Sequence, residues 1–283
     1  MDILTQLNLA MAYVEAHIDD DIALADVSSV TAYSPYHFGR LFYYIADMPL
    51  SEYIRKRKLS LAAMKLQSGS DKVIDLAVLY GYDSADSFTR AFVKQHGVTP
   101  SGARQPGVSL TIFPPLTFQI KIKGVQAMNW RIEEREAFVV FGIEREFAAG
   151  EQNEVPAFWD DTWNDGGIKK LAEQAGSSSF PSAICGATQP NTKTFSYMIC
   201  FEAKDGLDTG GYKTVAIPKQ TWAVFRADVK EYGDKIPELF GRVYSEWFPS
   251  SGYDKVEGWD MEVYSAYPNG RKYEEVWVPV KKK

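Results

Sequence analysis

Apolar residues in the first hundred positions recur at helical spacing in short blocks, and each block closes at a helix-stopping residue. Leu7, Ala10, Met11, Val14 and Ile18 line one face. Ile22 to Val30 forms a second block and Pro35 to Ile45 a third. Leu50 to Leu66 is a longer fourth, with Leu50, Ile54, Ala62 and Leu66 in one stripe. Val73 to Tyr80, broken by Gly81, and Ser84 to His96 complete the series. Prolines in this stretch fall at 35, 49 and 100, where helices begin or stop, and Ser34-Pro35 reads as an N-cap followed by the favoured first helical residue. The pattern predicts an all-α region of two helix-turn-helix units joined by one helix.

From Leu110 the period changes to alternation among β-branched and aromatic residues, as in Thr117-Phe118-Gln119-Ile120-Lys121-Ile122 and Phe138-Val139-Val140-Phe141, which read as strands. Two halves of this region can be written side by side. The first runs Trp130 to Glu133, Phe138 to Ile143, a Trp-rich helix from Phe158 to Ala172, then strands at Ala183–Ala187 and Ser196–Phe201. The second runs Tyr212 to Ile217, Trp222 to Ala227, a helix from Ile236 to Trp247, then Met261–Tyr264 and Glu275–Val280. Each half reads β-β-α-β-β, so two sheets can join about a pseudo-twofold axis. The turn-rich Arg104-Gln105-Pro106-Gly107-Val108 places a tight junction between a domain at 1–106 and another at 110–283. The fold class is therefore multidomain: an N-terminal all-α double helix-turn-helix and a C-terminal α+β duplication.

Composition narrows the class. The 283 residues are 45% apolar and 24% charged, which excludes disorder and collagen. Cys185 and Cys200 are too few for a disulfide framework and read as inert thiols. The start of the chain lacks a leader pattern and no apolar run nears the roughly 18 residues a membrane span needs, so the cytoplasm is the expected compartment, with no membrane partner. The net charge of −6 argues against broad nucleic-acid affinity, but residues 36–65 hold Arg40, Arg55, Lys56, Arg57, Lys58 and Lys65 against Asp47 and Glu52, a local +4. His17, His37 and His96 are scattered without companion cysteines, so neither a metal nor a cofactor is expected.

In a helix-turn-helix the start of the second helix meets base edges in the major groove. Those positions are Pro35, Tyr36, Gly39 and Arg40 in the first unit, and Ala85, Asp86, Ser87, Thr89 and Arg90 in the second. Arg40 and Arg90 can reach guanine or phosphate, and the hydroxyls of Ser87 and Thr89 suit phosphate or either base type. Phe38, Leu41, Phe42, Phe88 and Phe92 sit at spacings of three and four and read as core.

Residues 5–105 resemble the AraC/XylS family of bacterial transcription regulators. The carriers are Tyr33-Ser34-Pro35-Tyr36-His37-Phe38-Gly39-Arg40-Leu41-Phe42, the connecting helix Tyr53-Ile54-Arg55-Lys56-Arg57-Lys58-Leu59, and the second-unit set Asp75-Leu76-Ala77, Gly81-Tyr82, Ser87-Phe88-Thr89-Arg90-Ala91-Phe92, Gly97 and Thr99-Pro100. The resemblance implies a monomer reading promoter DNA with two helices about one turn apart, near 34 Å, with Arg55 as a further contact and RNA polymerase as a further partner. Three residues depart from the pattern: Asp47 stands where the family commonly has glycine, Gly39 leaves a reading position without a side chain, and Asp86 puts a carboxylate among the readers.

Residues 110–283 resemble the GyrI-like, duplicated SHS2 effector-binding domains. Met128-Asn129-Trp130-Arg131-Ile132-Glu133-Glu134, Pro156-Ala157-Phe158-Trp159, Phe195-Ser196-Tyr197-Met198-Ile199, Trp222-Ala223-Val224-Phe225, Met261-Glu262-Val263-Tyr264 and Glu275-Val276-Trp277-Val278-Pro279-Val280 carry it. It implies a pocket walled by aromatics with a deep carboxylate, taking bulky, apolar and often cationic small molecules. Strand alternation puts Glu275, Trp277 and Pro279 on one face, which makes Glu275 the first candidate and Glu262 the second. Trp159, Tyr197, Trp222 and Tyr264 are the expected wall, with Trp159 and Trp163 equally readable as core. A non-enzymatic sensor is the leading reading; hydrolysis of the ligand by Glu275 and a pocket tyrosine is the alternative.

Overall fold

The computed structural model describes residues 3–118, 127–186, 194–233 and 235–283. Six helices open the chain: α1 (Ile3–Ala16), α2 (Leu24–Ser29), α3 (Pro35–Ala46), α4 (Leu50–Ser68), α5 (Val73–Leu79) and α6 (Ala85–His96). Their ends follow from local chemistry. The Ser34 hydroxyl accepts from the His37 amide and Pro35 occupies the first turn, which starts α3. Asp47 ends α3 at φ 55°, the left-handed conformation glycine adopts most easily, so the family's usual glycine and this aspartate meet one backbone requirement. Ser84 caps α6, and Gly97 closes it at φ 75°.

Contacts group the chain into Met1–Tyr33 with Met48–Ile120, and Ser34–Asp47 with Lys121–Lys283. This division differs from a junction at Arg104–Val108 in two respects. The chain beyond Arg104 stays with the first unit because its amides are spent there. Phe113, Leu116 and Phe118 donate to the Ser60 hydroxyl, the Tyr53 hydroxyl and Asn8 Oδ1, each at 2.9 Å. Thr117 and Phe118 therefore lie in an irregular segment, while residues 119–122 of the expected strand lie outside the described residues. The second difference is α3, which packs as part of the second unit.

In the first unit, Leu59, Ala62 and Leu66 of α4 pack with Leu76 and Ala77 of α5 and Phe88 and Phe92 of α6 around one core. Much of the expected basic cluster is consumed by folding. Arg57 pairs with Glu15 at 3.0 Å, Lys56 with Glu52 at 2.8 Å, and the Lys58 ammonium donates to the Asp20 carbonyl.

The second unit carries β1 (Asn129–Arg135), β2 (Phe138–Ala148), α7 (Val155–Asn164), α8 (Gly167–Ala175), β3 (Ser182–Gly186), β4 (Thr194–Glu202), β5 (Lys213–Ile217), β6 (Gln220–Val229), α9 (Ile236–Arg242), β7 (Tyr253–Lys255), β8 (Asp260–Ala266) and β9 (Lys272–Lys282). The expected single helix over Phe158–Ala172 is two, because Gly166 turns the backbone to φ 77° between them. A π-helical turn, Val243–Trp247, continues α9.

The sheet runs β1-β6-β9-β8-β3-β4-β2-β5, with β7 pairing β9 off this path, and its ladders are antiparallel. Exchanging β1 with β5, β2 with β6, β3 with β8 and β4 with β9 returns the same order reversed, so the pseudo-twofold axis passes between β3 and β8. Each half gives its first strand to the other: β1 pairs β6, and β5 pairs β2. Side chains alternate across the sheet. Phe141, Ala183, Cys185, Phe195, Tyr197 and Ile199 form one buried cluster together with Tyr36 of α3 and Leu171 of α8. Val140, Ile184, Met198, Cys200, Trp222, Met261 and Trp277 form a second. Cys185 and Cys200 are thus free thiols on opposite faces.

Candidate functional site

Three alternate residues of β8, Asp260, Glu262 and Tyr264, project to the face on which α3 packs. Glu262 is buried, and one of its oxygens accepts from the Tyr197 hydroxyl at 2.6 Å and the Tyr264 hydroxyl at 2.8 Å. Trp159 Nε1 donates to the Tyr197 hydroxyl at 2.9 Å, which fixes that phenol's orientation. Burial pushes the Glu262 carboxyl above the ordinary 4.5, against the pull of the two tyrosine hydrogen bonds and of Arg40. The tyrosine hydroxyls are themselves held well above their usual range by burial and by this carboxylate, so they remain donors.

Around Glu262 lies a cavity of about 390 Å³, in the size range of small-molecule sites. Its wall is aromatic: Trp159 stacks on Phe180 with ring centroids 5.6 Å apart, Phe180 meets Tyr232 at 4.7 Å, and Tyr264 stands edge-on to Trp159 at 5.6 Å. Trp163 lines it from an exposed position, and Tyr43 and Tyr44 enter from α3. Such rings offer apolar area and negative faces to a cation, and the carboxylate gives it a desolvated partner.

Of the expected effector residues, Trp159, Tyr197, Glu262 and Tyr264 line this cavity, and Trp222, Glu275 and Trp277 do not. Parity on β9 is the reason. Glu274 and Val276 stand opposite Tyr264 and Glu262 in the register, so Glu275 and Trp277 point to the other face. There Trp277 packs edge-on against Trp222 at 5.9 Å. Glu275 is already neutralised, by Arg131 at 2.8 Å, Arg226 at 2.6 Å and the Trp277 indole N–H at 2.9 Å. Burial alone would raise its pKa, but these partners outweigh burial and hold it below 4.5. The pairing of Glu275 with a pocket tyrosine as acid and base is therefore not assembled here. Phe180 and Tyr232 sit on connections between regular elements, where no periodicity marks them.

The two sets of expected DNA readers have different surroundings. On α6, Asp86 and Arg90 are exposed and Ala85, Ser87 and Thr89 are half-buried. The Ser87 hydroxyl is spent on the Ser84 carbonyl at 2.9 Å. Arg55 on α4 is half-exposed, 3.8 Å from Glu52. On α3, by contrast, Pro35, Tyr36, Gly39 and Arg40 are all buried. Arg40 pairs with Asp260 at 2.8 Å, donates to the Tyr36 hydroxyl at 2.8 Å, and lies over the Phe240 ring at 4.0 Å. Tyr36 in turn contacts the Cys185 thiol at 3.2 Å, and burial pushes that thiol up to about 11. As placed, α3 presents none of its four expected readers to a groove, because they pack against the sheet, with Tyr36 on Cys185 of β3 and Arg40 on Asp260 of β8.

Among the described residues no cluster of His, Cys, Asp and Glu could hold a metal ion, and no helix is long and apolar enough to cross a membrane.

A duplicated sheet around a carboxylate-bearing aromatic cavity, in one chain with a helix-turn-helix module, defines the class of regulators that join an effector-binding domain to a DNA-binding domain. Residues 131–280 match the family described as integron-associated effector binding protein, and residues 27–106 match the helix-turn-helix domain family. The chain is similar to AarP, a helix-turn-helix transcriptional activator of Providencia stuartii, at 36% identity over 91 residues, 32% of this chain and 67% of AarP. It is also similar to the transcriptional regulator Rob of Salmonella typhimurium, at 34% identity over 108 residues, 38% of this chain but 37% of Rob. The structure of SAV2435 bound to tetraphenylphosphonium aligns over 54% of this chain and 94% of that one, with 18% identity and a TM-score of 0.47. The chain belongs to the AraC family of transcription regulators and carries a GyrI-like effector-binding domain.

Proposed function

We propose that this protein regulates transcription by binding promoter DNA through its helix-turn-helix helices and a bulky aromatic cation in the Glu262 cavity. The observation that carries the ligand class is one buried carboxylate, hydrogen-bonded by two tyrosines, inside a wall of indole, phenol and phenyl rings. A neutral ligand gains only the ring contacts, whereas a cation also gains the carboxylate. On the DNA side, the exposed Arg90 of α6 supports direct contact with duplex. RNA polymerase is the further partner that membership in this family suggests.

Thermal shift of the full chain with tetraphenylphosphonium, and with neutral triphenylphosphine oxide, tests the ligand class, because a ligand that binds only the folded state raises the melting temperature by mass action. The cation is expected to stabilise the wild type and Glu275→Gln, and to lose its advantage over the neutral compound in Glu262→Gln. Equal shifts by both compounds in all three proteins would sink the proposal.

The pH dependence has a defined sign. Because the Glu262 carboxyl titrates above 4.5, cation binding is strongest above that raised pKa and weakens as pH falls through it, while binding of the neutral compound changes little. A cation affinity that rises on acidification would contradict the role given to Glu262.

A further inference from the structure

We propose that the effector-binding unit holds α3 in store, with Asp260 occupying the Arg40 guanidinium as a DNA phosphate would, so that α3 reads DNA only after leaving this seat. The inference rests on the reading of α3 as a DNA-contacting helix.

Four observations carry it. Arg40 and Asp260 are both fully buried, 2.8 Å apart, and Asp260 is also held by Lys255 at 2.6 Å, so the acid sits in a prepared cationic pair. The guanidinium is only partly served: it meets Asp260 as an ion pair through Nη1, and among the described residues its Nε and Nη2 and the Asp260 Oδ2 have no hydrogen-bond partner, whereas phosphate offers two oxygens in a fork that matches a guanidinium.

The seat is also shaped for a helix. Gly241 of α9 lies where a Cβ would stand 3.1 Å from the Tyr44 carbonyl oxygen, so the absence of a side chain there admits the α3 backbone. Phe240 beside it stacks on Tyr44 with centroids 4.8 Å apart. Finally, Tyr43 and Tyr44 are themselves wall residues of the Glu262 cavity. Ligand binding and the position of α3 therefore share side chains, which makes the two equilibria thermodynamically linked.

The test uses the full chain with Gly241→Leu, which crowds the α3 backbone without stranding a charge, and Asp260→Asn as a second variant. Hydrogen exchange across residues 36–46 reports on the helix. Fluorescence anisotropy with a mixed-sequence duplex of about three helical turns, roughly 30 base pairs, reports on DNA. In both variants the α3 amides should exchange at least about tenfold faster. The duplex should be bound about tenfold more tightly, and adding Arg40→Ala should remove that gain and lower the salt slope by about one. In folded variants, unchanged α3 exchange overturns the proposal, and so does a freed α3 with no gain in duplex binding. In the second case Arg90→Ala in the same background separates the failures: if it still weakens duplex binding, DNA recognition by the chain stands and only the storage of α3 falls.

Discussion

Helices α3 and α6 are built to one plan, with a serine cap, an arginine five residues after the first helical residue, and paired phenylalanines at 38 and 42 or 88 and 92. Their surroundings are opposite. In α6 only Phe88, Phe92 and His96 are buried, one residue per turn, and Asp86, Arg90 and Lys94 are exposed. In α3 every residue from Pro35 to Phe42 is buried, and its single arginine is ion-paired inside the effector-binding unit. The difference follows from what lies off the shared stripe. Around Phe38 and Phe42, α3 adds Tyr36, Leu41, Tyr43, Tyr44 and Ile45, a wider apolar surface than α6 carries, and a wider apolar surface needs more cover. Position in a motif names a helix's role, while the residues beside the motif decide what covers it.

The largest expected consequence concerns stability. Asp260→Ala leaves the buried Arg40 guanidinium without its counter-charge and should cost about 3–5 kcal/mol. Arg90→Ala, exposed on α6, should fall within about 0.5 kcal/mol of the wild type. Chemical denaturation of the two variants checks this, and equal losses would break the contrast between a seated helix and a free one.

The order reverses for DNA. Arg90→Ala should weaken duplex binding by about 1–3 kcal/mol if it reads a base, or weaken all sequences alike with a smaller salt slope if it holds phosphate. Arg40→Ala in the otherwise unaltered chain should change affinity by less than about 0.5 kcal/mol, because the guanidinium it removes is fully buried beside Asp260 and is not presented to DNA. Anisotropy titrations with both variants decide it. An Arg40→Ala loss as large as that of Arg90→Ala would mean that α3 engages DNA without restraint.

Much of this architecture is legible in the sequence, and the parts that are not share a physical character. Serine caps, Pro35, Gly81 and the 3.6-residue period define the helices because those signals are local. The duplication shows in the sequence because each half repeats the same order of elements. The exchange of β1 and β5 between halves does not show, since strand partners are chosen by long-range packing. Glu262 and Glu275 demonstrate the same limit. Alternation states which residues of one strand share a face, but not which face the helices cover, and that one bit of information separates a cavity carboxylate from one neutralised by two arginines. The break at Gly166 was available in Asp165-Gly166-Gly167, where glycine supplies a conformation that the surrounding helical pattern masks.

The smallest effect sharpens the comparison most directly, because it removes the feature the two helices have in common. The Ser84 hydroxyl accepts from the Ser87 amide at 3.1 Å and donates to the Ser87 hydroxyl at 3.1 Å, and both contacts are lost when it is removed from the exposed start of α6. Ser84→Ala should therefore cost about 1 kcal/mol, seen as roughly fivefold faster hydrogen exchange at residues 86–89. Ser34 makes the equivalent bond to the His37 amide at 3.4 Å, but α3 is also pinned by the Arg40 to Asp260 pair and by the stack of Tyr44 on Phe240. Local opening of its first turn has to break those contacts as well, so Ser34→Ala should leave exchange at residues 36–39 nearly unchanged. Equal acceleration in both helices would mean that α3 is held by its own cap rather than by the sheet beneath it.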